Sequence, residues 1–90
     1  MKSSHLEQTL KIIELNGVTF YNPKIVEYLA RCVNTPETYC DLKYPDFIWE
    51  DNDLTQTNDI ELLKDNGLGV RLLLDPDNFT VFYRVFWHSN

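Results

Sequence analysis

The strongest constraint on this sequence lies near its C-terminal end. Two β-prone runs, residues 70–74 and 79–87, flank the tetrapeptide Asp75-Pro76-Asp77-Asn78. Branched and aromatic side chains suit a pleated, half-buried surface. Pro76 has its φ already set for the second position of a type I turn. An antiparallel hairpin is therefore predicted. In the second run Val81, Tyr83, Val85 and Trp87 alternate with Thr80, Phe82, Arg84, Phe86 and His88. Both sets carry large apolar groups, which predicts a strand covered on both faces. Helices, a third strand or a partner can supply the cover, and a homodimer through the hairpin is one such arrangement.

Helix signals precede the hairpin. Ser4 and Glu7 have the S-x-x-E spacing of a capping box, and Leu6, Leu10 and Ile13 then share one helical face. Asn16-Gly17 is a helix stop. Asn22 followed by Pro23 is a cap with a proline at the first helical position. Ile25, Val26, Leu29, Cys32 and Val33 line one face of the helix it opens. Between these helices, Val18-Thr19-Phe20-Tyr21 suits either a short third strand or extended coil. Thr35-Pro36 repeats the cap-plus-proline signal and predicts a short helical turn over 38–42. Thr57 or Asn58 caps a third helix, with Ile60, Leu62 and Leu63 apolar and Asn66-Gly67 as its stop.

The expected class is α+β, with three main helices packed on the C-terminal antiparallel hairpin in one compact domain over residues 1–90. A chain of this size buries roughly 60–65% of its unfolded surface, enough for one modest core. The order of helix, short β segment, helix, irregular acidic stretch, helix and hairpin resembles that of a winged-helix domain, with residues 70–87 as the wing. That resemblance implies a nucleic-acid-binding or transcription-associated alternative, with a basic patch from Lys24, Arg31, Arg71 and Arg84. The acidic helix near residues 58–65 departs from a groove-reading helix, and the gap before it is long for a helix-turn-helix.

Charge points elsewhere. Net charge is −6, and residues 37–65 hold nine acids against two lysines. Such a middle disfavours direct contact with nucleic-acid phosphates or anionic membrane and favours a basic protein partner. If the acids from Glu37 to Asp65 converge outward, they form one anionic surface. Within this segment aromatics interleave with acids. Tyr39, Asp41, Tyr44, Asp46, Trp49, Glu50, Asp51 and Asp53 are the candidate partner-binding residues. Tyrosine and tryptophan give large contact area at low entropic cost, and neighbouring carboxylates steer a basic partner. Phe47 and Trp49 suit core positions equally well in so short a chain.

No catalytic or cofactor constellation emerges. Counted from Asp51, an EF-hand loop would need Gly at Gln56 and Glu at Leu62, so calcium is not expected. His5, Cys32, Cys40 and His88 lack zinc spacing. Cys40 sits beside Asp41, which opposes a reactive thiolate. Gly67-x-Gly69 precedes a strand and so does not set up a phosphate loop. No export signal or membrane-spanning run is read, and the expected address is cytoplasmic, with both cysteines as packed, reduced thiols. The expected function is that of a small, non-enzymatic protein-binding regulator or inhibitor. It suits a phage, mobile-element or immunity setting, where carboxylates placed like phosphates block nucleic-acid-handling proteins.

Overall fold

The computed structural model describes residues 4–43, 53–77 and 79–87, apart from the side chains of 4 and 53–55. Its elements are α1 (Ser4–Leu15), α2 (Lys24–Cys32), β1 (Tyr39–Leu42), α3 (Asp53–Asp65), β2 (Gly69–Asp75) and β3 (Thr80–Phe86). Among the described residues the strands form one antiparallel sheet in the order β1-β3-β2. The class is α+β, with helices packed on the C-terminal hairpin.

The helix ends follow the local code. Gly17 takes φ +66°, its N–H reaches Glu14 O, and the Val18 N–H reaches Ile13 O. Gly67 takes φ +86° and repeats both bonds through Lys64 O and Leu63 O. Both are Schellman closures, which satisfy carbonyls that a helix end leaves open. At the start of α2 the Asn22 Oδ1 accepts the Lys24 N–H at 3.1 Å, and Asn22 O accepts the Ile25 N–H. Asn22 therefore caps, with Pro23 (φ −66°) in the first helical position.

The core forms on one face of the sheet. Cys40, Leu42, Val70 and Val85 meet Leu6 and Ile13 of α1, Ile25 and Leu29 of α2, and Leu63 of α3. Phe20, Val33, Leu68 and Trp87 close it from the connecting segments. The central strand β3 is buried at Val85 on one face and at Phe82 on the other, but the expected cover does not reach its first residues, where Val81 is exposed.

Three expectations are corrected. Residues 39–42 form a strand and no helical turn. The Thr35 hydroxyl and N–H both bond back to Cys32 O, at 2.9 and 3.2 Å, so Thr35 closes α2 and opens no new helix. The strand is made by distant partners, with Cys40 opposite Val85 and Leu42 opposite Tyr83, and the Trp87 N–H continuing to Thr38 O. Residues 18–20 are coil, so the third strand follows α2 and the winged-helix order, with a strand between the first two helices, is not met. Finally, α3 begins at Asp53, one turn before Thr57. Its first turn, Asp53-Leu54-Thr55-Gln56, holds a single apolar residue, followed at i+4 by Asn58, so no apolar periodicity announces it.

Candidate interaction site on the C-terminal hairpin

Alternation along the strands sorts the side chains into two faces. The face away from the core carries Tyr39 and Asp41 on β1, Phe82, Arg84 and Phe86 on β3, and Gly69, Arg71, Leu73 and Asp75 on β2. The register places Asp41, Arg84 and Arg71 in one cross-strand row. Arg84 resolves the charges of that row. Its Nε and Nη2 donate to Asp41 Oδ1 and Oδ2 at 2.7 and 3.0 Å. Such a two-pronged bond fits the planar guanidinium and carboxylate. The carboxylate raises the Arg84 pKa. The guanidinium also lies over the Tyr39 ring, 4.2 Å from its centroid.

The neighbouring rows repeat the theme of a cation over a ring. Arg71 lies 5.3 Å from the Phe86 centroid and Lys43 lies 5.2 Å from that of Phe82. Phe86 in turn covers Gly69, where a Cβ would collide with the ring. Lys43 Nζ stands 3.6 Å from Asp75 Oδ2. Among the described residues Arg71 has no carboxylate partner. Of the four cations of the expected basic patch, Arg84 is thus neutralised by Asp41, while Arg31 lies over Tyr28 on α2.

Of the candidate partner-binding residues, Tyr39 and Asp41 are brought together, half-exposed, around Arg84. Tyr44, Asp46, Trp49, Glu50 and Asp51 lie outside the described residues, as does Phe47. Asp53 opens α3. The expectation that the acids of 37–65 all face outward is corrected at Asp59, which is fully buried. Its two oxygens accept the N–H groups of Tyr21 and Asn22 at 2.8 and 2.9 Å. Glu37, Glu61 and Asp65 are exposed.

The core-side face of the hairpin supplies residues that the sequence reading left out. Beyond Val70 and Val85 the sheet runs past its helical cover. Leu72, Leu74 and Val81 are 57%, 60% and 65% exposed, and Phe79 in the turn is 81% exposed. Leu72 faces Tyr83 and Leu74 faces Val81 in the register, so the strip is continuous. Phe79 takes φ +56°, a left-handed conformation unfavourable to a bulky side chain. Apolar alternation in residues 70–74 was the available signal, since Val70, Leu72 and Leu74 share a face in a strand.

The cysteines are also neighbours. Cys40 is buried, Cys32 is half-buried, and both are free thiols. Burial, reinforced by contact and a hydrogen bond with Cys32, pushes the Cys40 thiol far above its ordinary pKa. Among the described residues no group of three or more His, Cys, Asp or Glu is placed to hold a metal ion, and no helix is long and apolar enough to cross a membrane. No protein-family model matches the chain, and comparisons with curated proteins and with solved structures find no match.

Proposed function

We propose that this chain is a non-enzymatic protein-binding regulator or inhibitor that docks through the open end of its C-terminal hairpin. The observation that carries the reading is the strip of Leu72, Leu74 and Val81 on one face of the hairpin, with Phe79 in the adjoining turn, each more than half exposed. Contiguous apolar surface of this kind marks interaction sites. The placement of Phe79 adds weight. A phenylalanine at positive φ costs backbone energy and, mostly exposed, recovers little from packing. A docking role accounts for its presence there.

The net charge of −6 sets the sign of a partner to be regulated. A basic surface, such as that of a nucleic-acid-handling protein, is attracted over a distance of about a Debye length, near 8 Å at physiological salt. The proposed division of labour is apolar contact at the hairpin and electrostatic steering by the exposed acids. Affinity capture at graded salt tests both parts. Leu72→Lys with Val81→Lys is expected to abolish capture of the partner at all salt concentrations. Glu37→Lys with Glu61→Lys and Asp65→Lys, three exposed acids, is expected to remove the salt-sensitive part. Capture that neither variant alters would overturn the proposal.

A further inference from the structure

The two cysteines of the chain meet in the fold. Cys32 is the last residue of α2, and Cys40 is the second residue of β1. Cys40 is buried in the core, and the half-buried Cys32 packs against that core. The Cys40 S–H donates a hydrogen bond to Cys32 Sγ. We propose that this thiol pair is a reversible redox site, at which a small-molecule disulfide oxidises Cys32 and Cys40 to an intramolecular disulfide that clamps α2 to β1. The site is separate from the exposed hairpin strip and stands without the docking reading.

The backbone between the two residues is fixed at both ends. Cys32 O accepts the Thr35 N–H at 3.2 Å and the Thr35 hydroxyl at 2.9 Å, while Thr38 O accepts the Trp87 N–H at 3.0 Å. Val33 is buried in the same core, and Cys40 stands opposite Val85 of the central strand. Native packing therefore holds the two sulfurs together, and the loop that a disulfide would close is closed already. Reacting groups held in this way join faster than groups that must first find each other. The sulfurs have only to move from hydrogen-bond contact to a bond of about 2.05 Å. Cys32 supplies that movement, because it ends a helix and its side chain is only half covered.

Exposure sets the order of the steps. The Cys32 thiolate, reached from solvent, attacks one sulfur of the small disulfide. A mixed disulfide forms at Cys32, the S–S bond of the reagent breaks, and one reagent thiolate leaves. The Cys40 thiolate then attacks Cys32 Sγ and displaces the second reagent thiolate. The protein gives up two electrons and two protons, and the reagent takes up both as two thiols. The second step is the slow one at neutral pH, because burial and the contacts with Cys32 and Asp41 keep Cys40 protonated. A pair of this kind suits a reducing compartment, where disulfides form transiently and report on redox state.

Incubation of the folded full chain with oxidised glutathione tests the proposal, read by intact mass and by migration of the unreduced chain. Wild type should pass through a glutathione adduct to a monomer lighter by two hydrogen atoms, and dithiothreitol should restore it. Conversion of the adduct should quicken about tenfold per pH unit above neutrality, as the thiolate fraction of Cys40 grows. Cys40→Ala should stop at the adduct, and Cys32→Ala should stay unmodified while folded, which circular dichroism verifies for both. Amide exchange in β1 should slow about tenfold or more in the oxidised protein, because a cross-link to α2 restrains an edge strand. The wild-type result does not depend on either variant folding. A folded wild-type chain that gains no intramolecular disulfide, whether left unmodified, held at the adduct or joined to a second chain, would overturn the proposal. A disulfide that forms only in denaturant would do the same, and unchanged exchange in β1 would overturn the clamp.

Discussion

Asp59 Oδ1 accepts the backbone N–H of Tyr21 at 2.8 Å across 38 residues of sequence, while its Oδ2 takes the next N–H, that of Asn22. One carboxylate on α3 thereby fixes the entry to α2. Replacing it with alanine leaves two N–H donors without their acceptors inside the protein. Hydrogen bonds to a charged group are worth about 1.5–3 kcal/mol each, and orphaned buried donors add a desolvation cost. Asp59→Ala is expected to cost about 3 kcal/mol in urea unfolding. Asp59→Asn should also destabilise, since an amide brings a donor toward two donors. Asp65→Asn, at an exposed site of the same helix, should stay within about 0.5 kcal/mol of wild type.

Asp59 also shows where sequence reading loses its grip. Among nine acids between residues 37 and 65, nothing local singles out Asp59, which turns inward. Its burial is decided by the Tyr21–Asn22 turn, far away in sequence. Residues 39–42 fail for a related reason. Four residues are too few for a period, and the strand exists because Val85 and Tyr83 receive Cys40 and Leu42. By contrast, Asn16-Gly17, Asn66-Gly67 and Asn22-Pro23 work through bonds within a few residues, and each acts as read. The hairpin was legible because its apolar runs and Pro76 state the same conclusion. Its exposed end was not, because alternation fixes which side chains share a face but not how far the helices cover that face.

The Asp41–Arg84 pair joins β1 to the central strand with two short bonds, but the guanidinium remains about a third exposed. Solvent screens a pair so placed, so a double-mutant cycle with Asp41→Ala and Arg84→Ala should give a coupling of about 1 kcal/mol. Arg84→Lys is expected to recover less than half of it. A lysine ammonium lacks both the planar fork that meets two carboxylate oxygens and the flat surface that lies over Tyr39. Chemical denaturation of the four proteins of the cycle, with Arg84→Lys beside them, measures both quantities.

Phe79 sets stability against docking. A left-handed backbone costs an ordinary L-residue roughly 1–2 kcal/mol, and glycine escapes that cost while losing about 0.5–1 kcal/mol to greater freedom in the unfolded chain. With its ring 81% exposed, Phe79 has little packing to forfeit. Phe79→Gly should therefore raise the stability of the isolated chain by about 0.5 kcal/mol. The same change should weaken partner capture through the hairpin. Thermal unfolding and capture, run on one preparation, should move in opposite directions. A variant that loses both stability and capture would mean that the ring supports the fold itself.

The two thiols should differ in chemistry as they differ in burial. Cys32, half-buried at the end of α2, should be alkylated in the native protein, and Cys40 only after unfolding. The raised pKa of Cys40 has a second consequence, through linkage. Above the ordinary thiol value of about 8.5 the unfolded chain gives up this proton while the folded chain retains it. The contribution of Cys40 to stability is then whole below that value and declines as pH rises past it, by at most about 1.4 kcal/mol per pH unit. Tyrosines and lysines titrate in the same range, so the informative quantity is the difference between two proteins. Wild type should lose stability more steeply with alkaline pH than Cys40→Ala, whose site has no proton to release. Equal slopes in denaturant titrations at increasing pH would show that burial does not hold the thiol neutral.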